Sequence, residues 1–377
     1  MTRVYLDNNA TTPALPEARD AVLEVLESGF GNPSSPTLQG AQALEKVVSA
    51  RDSIAAFLGA DPAQVLFTSG CTEGNNTVLR RALEPPRRFI TTATEHVSVT
   101  AVADWLESRG VEVVRLSGPN GRISGEQLRN ALNGGASLVS VQWANSETGV
   151  LQPIEEIAHA CVDADVPLHV DAAQAVGRMP IDLGACTIDY LTFSGHKLHA
   201  PPGIGVTFAR NPGEIPRLIL GGEQEAGTRA GTENLPGIAG LRAACDARAA
   251  NLTDAMQWMT QLRDRFEHRV LTEIPESKVN GRASPRVGNT SNIRFPVDGQ
   301  ALVAQLSQAG IVCSQTSACS SNSPEPSKVL TEIGLSRDQA FASVRFSFSY
   351  MNTTRDVDAA VDAITRICQR LPRLRRR

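Results

Sequence analysis

Between residues 64 and 210, short runs of apolar and often β-branched residues alternate with longer stretches of helical periodicity. The runs lie at 65–67, 88–91, 111–114, 138–141, 168–170 and 204–208, with a further strand pattern opening 189–197. Continuous apolar runs separated by helices predict a largely parallel sheet with helices on both faces, an α/β architecture. Ligands of such sheets sit outside the strand ends. Thr72, His96, Asn145, Asp171 and Lys197 each follow one of these runs, so the pattern alone gathers five polar side chains at one edge.

Past residue 210 the pattern changes. A long amphipathic stretch over 236–272 begins at Pro236 and predicts a helix linking two domains. Strands near 292–295 and 344–348, with helices over 299–308 and 354–370, then predict a smaller α+β unit. The expected division is an N-terminal arm (1–20) packing on the small domain, a large domain (21–245) and a small C-terminal domain (246–377). The stretch 314–328 is rich in Ser, Pro and Asn and is expected to be a mobile loop.

Composition narrows the classes. At 377 residues two domains are the natural expectation, and 41% hydrophobic with 20% charged residues is ordinary for a globular protein. A net charge of −4 offers no footprint for nucleic acid. The basic end at 371–377 reads first as a solvated terminus, and only second as a docking tail. No apolar stretch reaches the roughly 18–20 residues that span a bilayer, and the first residues lack the apolar core of a secretory leader. The seven cysteines (71, 161, 186, 245, 313, 319 and 368) include no Cys-x-x-Cys pair. A dispersed, odd set favours the cytoplasm and argues against disulfides and a structural metal.

Only four lysines occur, at 46, 197, 278 and 328. Lys46 falls in a helical surface pattern, Lys278 in a polar turn and Lys328 near the loop, whereas Lys197 closes a buried-strand pattern as Ser194-Gly195-His196-Lys197. With Asp171, at the end of another strand, it supplies the amine and carboxylate that pyridoxal phosphate requires: a Schiff-base partner and a pyridinium partner. Thr68-Ser69-Gly70-Cys71-Thr72 leads into a helix whose N-terminus could cradle the phosphate, although an ordinary capped helix start explains that run as well. Ser194 and His196 could add donors, His96 could stack on the ring or carry a proton, and Gln174 could donate to the ring's phenolate oxygen. Most free cysteines are small core residues, but Cys319 lies among small polar residues and prolines that predict exposure, which a nucleophile needs.

The chain resembles the cysteine desulfurases, pyridoxal-phosphate enzymes of fold type I in the class V aminotransferase superfamily. The resemblance is carried by Tyr5-Leu6-Asp7-Asn8-Asn9-Ala10-Thr11-Thr12, Gly31-Asn32-Pro33-Ser34-Ser35 and Phe67-Thr68-Ser69-Gly70-Cys71-Thr72-Glu73. It continues through Thr94-Glu95-His96, Asp171-Ala172-Ala173-Gln174, Ser194-Gly195-His196-Lys197, Arg229-Ala230-Gly231-Thr232-Glu233-Asn234 and Ser317-Ala318-Cys319. It implies a large domain with a seven-stranded, mostly parallel sheet and a smaller α+β domain. It also implies a site in which Lys197, Cys71, Thr72, His96, Asp171, Gln174, Ser194 and His196 hold the cofactor, with Thr232 reaching the phosphate of the other subunit of a homodimer. Asn145 and Arg345 resemble the pair that receives the carboxylate of L-cysteine, a task suited to a guanidinium. Cys319 would take the sulfur as a persulfide, release alanine and pass sulfur to an acceptor or scaffold protein. An aminotransferase or selenocysteine lyase on the same fold, or a silent partner protein retaining it, are the rival readings. Departures from the family pattern are Thr37 in place of a histidine, and Gln315-Thr316 where Ser-Gly is usual.

Overall fold

The computed structural model describes residues 3–27, 29–315 and 325–374; Cys319 and its neighbours from 316 to 324 lie outside the described residues. The chain starts with a two-residue strand, β1 (Val4–Tyr5), and a helix, α1 (Pro16–Glu27). Helix α2 (Leu38–Leu58) follows, capped by Thr37, whose hydroxyl accepts from the Gly40 amide at 3.1 Å. The departure at position 37 therefore has a local role: threonine is a good N-cap.

The alternating pattern then becomes β2 (Val65–Thr68), α3 (Cys71–Val78), β3 (Arg88–Thr92), α4 (Val97–Ser108) and β4 (Glu112–Leu116). Next come α5 (Gly125–Leu132), β5 (Leu138–Gln142), α6 (Ile154–Asp163), β6 (Leu168–Asp171), β7 (Tyr190–Ser194) and β8 (Gly205–Ala209). These seven strands form one sheet in the order β2-β8-β7-β6-β5-β3-β4. The expected mostly parallel sheet is present, and β8 alone runs antiparallel to both of its neighbours. Alternate residues face opposite layers, as strand geometry requires. Leu66, Phe89, Leu138 and Tyr190 pack with Val99, Val102 and Leu106 of α4. Phe67, Ile90, Val139, Val170 and Phe193 pack instead against α2, α6 and the first part of the next helix.

That helix, α7 (Leu235–Glu273), spans 39 residues and is capped by the Asn234 side chain. Its first part, through Ile238, Leu241 and Cys245, belongs to the large-sheet core. Leu262, Phe266 and Val270 belong to a second core, and non-helical Asn251 (φ −138°) lies between the two. The remaining elements are β9 (Lys278–Val279), β10 (Thr290–Arg294), α8 (Gly299–Gln308), β11 (Ile311–Val312), β12 (Ser314–Gln315), α9 (Lys328–Glu332), α10 (Arg337–Phe341), β13 (Ser343–Ser347) and α11 (Thr354–Arg370), of which β10, α8, β11, β13 and α11 supply buried side chains to the second core. Strands β12-β13-β10-β9 make an antiparallel sheet. Lys278, expected in a turn, pairs with Arg294 in that sheet; two-residue strands carry too little periodicity to be read.

The N-terminal arm touches both cores. β1 pairs in parallel with β11, and Val4 and Leu6 are buried in the second core. A few residues later Thr12 and Leu15 donate their amides to the carbonyls of His196 and His199, on the loop after β7. Residues 7–12 thus lie along the seam where the two units meet. Among the described residues, no helix is long and apolar enough to cross a membrane.

Candidate active site

Strands β3, β5, β6 and β7 run parallel and adjacent, so the segments leaving their carboxyl ends converge. The convergence places His96, Asn145, Asp171 and Lys197 at one edge, with α3 supplying Cys71, Thr72 and Asn75.

Asp171, at the end of β6, is buried, and all its hydrogen-bond partners are neutral. One carboxylate oxygen accepts from the Ala173 amide at 3.0 Å and from the Cys71 thiol at 3.3 Å; the other accepts from Asn75 Nδ2 at 2.8 Å. Asn75 is fixed in turn. Its Oδ1 accepts from the Thr192 hydroxyl at 2.6 Å, and Nδ2 also donates to Ser98 Oγ at 2.9 Å. With Ser98 accepting there, its hydroxyl hydrogen goes to His96 Nδ1, 2.8 Å away. The Ser98 amide donates to the same nitrogen at 3.2 Å, so Nδ1 is an acceptor and the imidazole proton sits on Nε2. Burial, opposed by Asp171, lowers the His96 pKa, which agrees with a neutral ring. Behind this layer His169 bridges Thr192 (3.1 Å) and Ser140 (2.8 Å), and burial pushes it down to about 4.

Lys197 lies on the turn after β7. Its Nζ donates to the carbonyl oxygens of Asn9 and Ala10, both at 2.7 Å. Desolvation, reinforced by the positive charges of Arg178 and Arg345, lowers its pKa to about 8. Arg178 is buried, and its guanidinium donates to Asn9 Oδ1 at 2.8 Å, to the Asn8 carbonyl at 3.0 Å, and to Gln174 Oε1. Gln174 is thereby oriented with Nε2 toward the Asn9 carbonyl, at 3.1 Å. Arg178 and Asn75 have no assigned role in the sequence pattern, and Asn9 enters there only as part of the Tyr5–Thr12 run. The spacing of four between Cys71 and Asn75, and between Gln174 and Arg178, was the available signal.

Gly70 caps α3 with φ +154° and no side-chain cap bond, which leaves the helix N-terminus open. The cradle is tight: a Cβ on Gly70 would lie 3.1 Å from Ser194 Oγ, and one on Gly205 would lie 2.6 Å from the Gly70 Cα. Ser194 Oγ accepts from the Cys71 amide at 2.7 Å, leaving its hydrogen free for an acceptor. Thr72 is exposed beside it. His196, with Nδ1 3.1 Å from Thr11 Oγ1, is pushed down to about 4 by burial and by Lys197 and is neutral.

The remaining candidates are spread along the seam. Asn145 uses both ends of its amide inside its own neighbourhood. Its Oδ1 accepts from the Glu147 and Thr148 amides, and Nδ2 donates to the Thr94 carbonyl at 3.1 Å. It therefore shapes the turn that carries Ser146. The Ser146 carbonyl accepts from Arg345 Nη1 at 3.0 Å, and Arg345 Nη2 meets Asp7 Oδ1 at 2.8 Å. Thr232 is exposed on a turn that Arg229 ties to Glu73 of α3 at 3.0 Å, and it makes no hydrogen bond to the residues above.

Next to His96, buried Glu95 accepts from Thr92 Oγ1 at 2.6 Å and from the Gln142 amide at 3.0 Å. Desolvation raises its pKa to about 8 from 4.5. The unfolded chain releases this proton near the ordinary value while the native state holds it. Stability is therefore greatest below the ordinary value and declines as pH rises through the window up to about 8. Glu95→Gln keeps the acceptor and removes the titration. Its melting temperature is expected to gain on that of the wild type by a few degrees as scanning calorimetry moves from pH 5 to pH 8. A constant difference across that range contradicts the assignment.

The model of the family described as Aminotransferase class-V matches residues 4–360. A cysteine desulfurase of Trichormus azollae is 42% identical over 98% of this chain and 94% of its own length. The chain belongs to the cysteine desulfurase family. Among solved structures, one titled NifS-like protein superposes with a TM-score of 0.90 at 31% identity, covering 98% of this chain and 100% of its own. Another, titled SspA in complex with cysteine, gives 0.82 at 31% identity, over 93% and 100% of the two chains.

Enzymes of this family depend on pyridoxal 5′-phosphate. The residues present fit that group. Lys197 offers a desolvated amine and Asp171 a buried carboxylate without a cationic hydrogen-bond partner, suited to a protonated ring nitrogen. The open α3 terminus offers amides and hydroxyls to a phosphate.

Proposed function

We propose that the protein is a pyridoxal-phosphate-dependent cysteine desulfurase that converts L-cysteine to L-alanine and takes the sulfur onto Cys319. The observation carrying this reading is the pairing of Lys197 with Asp171 at one sheet edge, each held by neutral donors or acceptors. Lys197, Asp171, His96, Gln174, Cys71, Thr72, Ser194 and His196 would hold the cofactor. When bound, it supplies an electron sink for the bonds to the amino acid's Cα.

The chain's own groups then have separate tasks. Lys197 Nζ moves the proton at Cα; an amine lowered to about 8 is deprotonated often enough near neutrality to act as a base. His96 presents Nε2–H to the site, and Arg345 receives the substrate carboxylate beside the Asn145 turn. The Cys319 thiolate attacks the substrate sulfur: an S–S bond forms, the substrate C–S bond breaks, and the Cβ left behind gains a proton. L-Cysteine and enzyme thiol thus become L-alanine and enzyme persulfide.

All six described thiols are held away from that role. Burial pushes Cys161 and Cys313 up to about 12 and Cys368 to about 11, and Cys71, Cys186 and Cys245 also rise. None is in a disulfide, which suits the cytoplasm.

A homodimer is part of the reading. Leu44 and Val48 of α2 line a groove with the segment 223–226, while Phe30, Leu38 and Leu220 stand more than two-thirds exposed. In the proposed dimer the second copy covers this apolar surface and Thr232 reaches the partner's phosphate site, as the family resemblance implies. The persulfide sulfur then passes to an acceptor protein for iron–sulfur cluster assembly or thiolation.

The test is direct. Holoenzyme given L-cysteine and a reductant is expected to form alanine and sulfide in equal amounts, measured by amino-acid analysis and sulfide assay. Pyruvate in place of alanine, or no product, overturns the reading.

A further inference from the structure

The buried Asp171 carboxylate has only neutral hydrogen-bond partners, so its charge depends on which way the Asn75 amide faces. A carboxylate only accepts, so Asn75 turns Nδ2 toward Asp171 (2.8 Å) and Ser98 Oγ (2.9 Å), and Oδ1 falls on the other side. Reversed, the amide would set its oxygen against a carboxylate oxygen, two acceptors with no hydrogen between them.

On that other side Oδ1 meets the Thr192 hydroxyl at 2.6 Å. An amide oxygen has no hydrogen, so Thr192 donates there and its one hydrogen is spent. Toward His169 Nε2, 3.1 Å away, the Thr192 oxygen is then an acceptor. The His169 ring is neutral, because burial pushes it down to about 4. It therefore carries its proton on Nε2, and Nδ1 accepts from Ser140 Oγ at 2.8 Å. Each hydrogen in the row Ser140, His169, Thr192, Asn75 points toward Asp171, and bonds in such a row polarise one another. The row is also rigid. His169, Thr192 and Asn75 are fully buried, and a Cβ on Gly74 would lie 2.7 Å from Thr192 Cγ2, so α3 sits flush on β7.

We propose that Thr192 is a positioning residue: its hydroxyl locks the Asn75 amide with Nδ2 toward Asp171, which keeps that carboxylate an anion and the proton on the cofactor's ring nitrogen. This rests on the reading of the edge as a pyridoxal-phosphate site with Asp171 at the ring nitrogen. Strand β7 then serves the cofactor twice, through Thr192 in its interior and Lys197 just past its end. Without the hydroxyl the amide can turn over, Asp171 loses a donor and faces an oxygen, and the proton passes from the ring nitrogen to the carboxylate.

Thr192→Val keeps the shape of the side chain and removes the hydroxyl, whereas Thr192→Ser keeps the hydroxyl. Each is loaded with cofactor isotopically labelled at the ring nitrogen, and nitrogen NMR without substrate reads whether that atom carries a proton. Wild type and Thr192→Ser are expected to give the protonated signal, and Thr192→Val a signal moved toward the unprotonated one. With L-cysteine, kcat of Thr192→Val is expected to fall about tenfold, the scale of one hydrogen bond to a charged group, with KM little changed because Arg345 is untouched. Asn75→Ala removes the donor itself and is expected to move the nitrogen signal the same way, which keeps the test open if Thr192→Val does not fold. An unmoved signal in either variant overturns the proposal, as does a Thr192→Ser signal that moves as far as that of Thr192→Val. Wild-type protein that binds no cofactor or makes no alanine overturns the functional reading itself, whereas alanine formation with an unmoved signal sinks only the role of Thr192.

Discussion

Lys197→Ala is expected to abolish alanine formation from L-cysteine, with a loss of about a thousandfold or more in kcat, the scale on which removal of a central proton-transfer group is felt. The reason lies in the scarcity of alternatives. Lys46 pairs with Glu24 on a helix surface, Lys278 sits in β9 and Lys328 begins α9, so no other described lysine reaches this edge of the sheet. The variant should still fold, because Nζ bonds only to two carbonyls and is partly open to solvent. A second readout isolates the amine from turnover. Reductive methylation of the apoprotein, followed residue by residue by mass spectrometry, should show Lys197 half-reactive at about pH 8 rather than near 10.5. The direction follows from the cause: burial and two neighbouring guanidinium groups disfavour the ammonium, so the proton leaves at lower pH. Reactivity of Lys197 matching that of the exposed lysines would remove the electrostatic basis for its role.

Much of this site was legible before any coordinates, for a physical reason. A parallel sheet is fixed by continuous apolar runs, and its ligands collect where those runs stop, so locating the strand ends located His96, Asp171 and Lys197. Helices α8 and α11 match their expected bounds because Asp298 and Thr353 are strong N-caps. The antiparallel course of β8 was not legible, since a run of apolar residues carries no direction. The node at Asn9 was hidden for a different reason. Its partners Ser146, Arg178, Thr290 and Ser347 are separated from it by 137 to 338 residues, and no local periodicity encodes such contacts. Arg178 and Arg345 look alike in sequence, as single arginines in apolar surroundings. Only the contacts separate them: Arg178 finds acceptors on three residues of the arm and of β6's following turn, while Arg345 keeps a free Nε.

Cys319→Ala is expected to remove sulfur transfer almost completely, leaving less than about a thousandth of wild-type sulfide release with L-cysteine, while the bound cofactor's visible absorbance is retained. Serine at the same position should do no better, because a hydroxyl with a far higher pKa cannot serve as the thiolate. The expectation gains force from the other six cysteines. Cys71 is the one nearest the chemistry, with its thiol 3.3 Å from both Asp171 and Thr192. Its burial and the adjacent carboxylate both raise its pKa, so it remains a protonated donor that helps to fix Asp171. Cys71→Ala should therefore still form persulfide on position 319, detectable as a gain of one sulfur on the peptide carrying it. The two variants oppose each other cleanly. If Cys319→Ala still releases sulfide at the wild-type rate and Cys71→Ala does not, the nucleophile is the buried thiol of α3. If both release it, sulfur leaves without a cysteine acceptor, and the lyase chemistry of the same fold replaces desulfuration onto the chain.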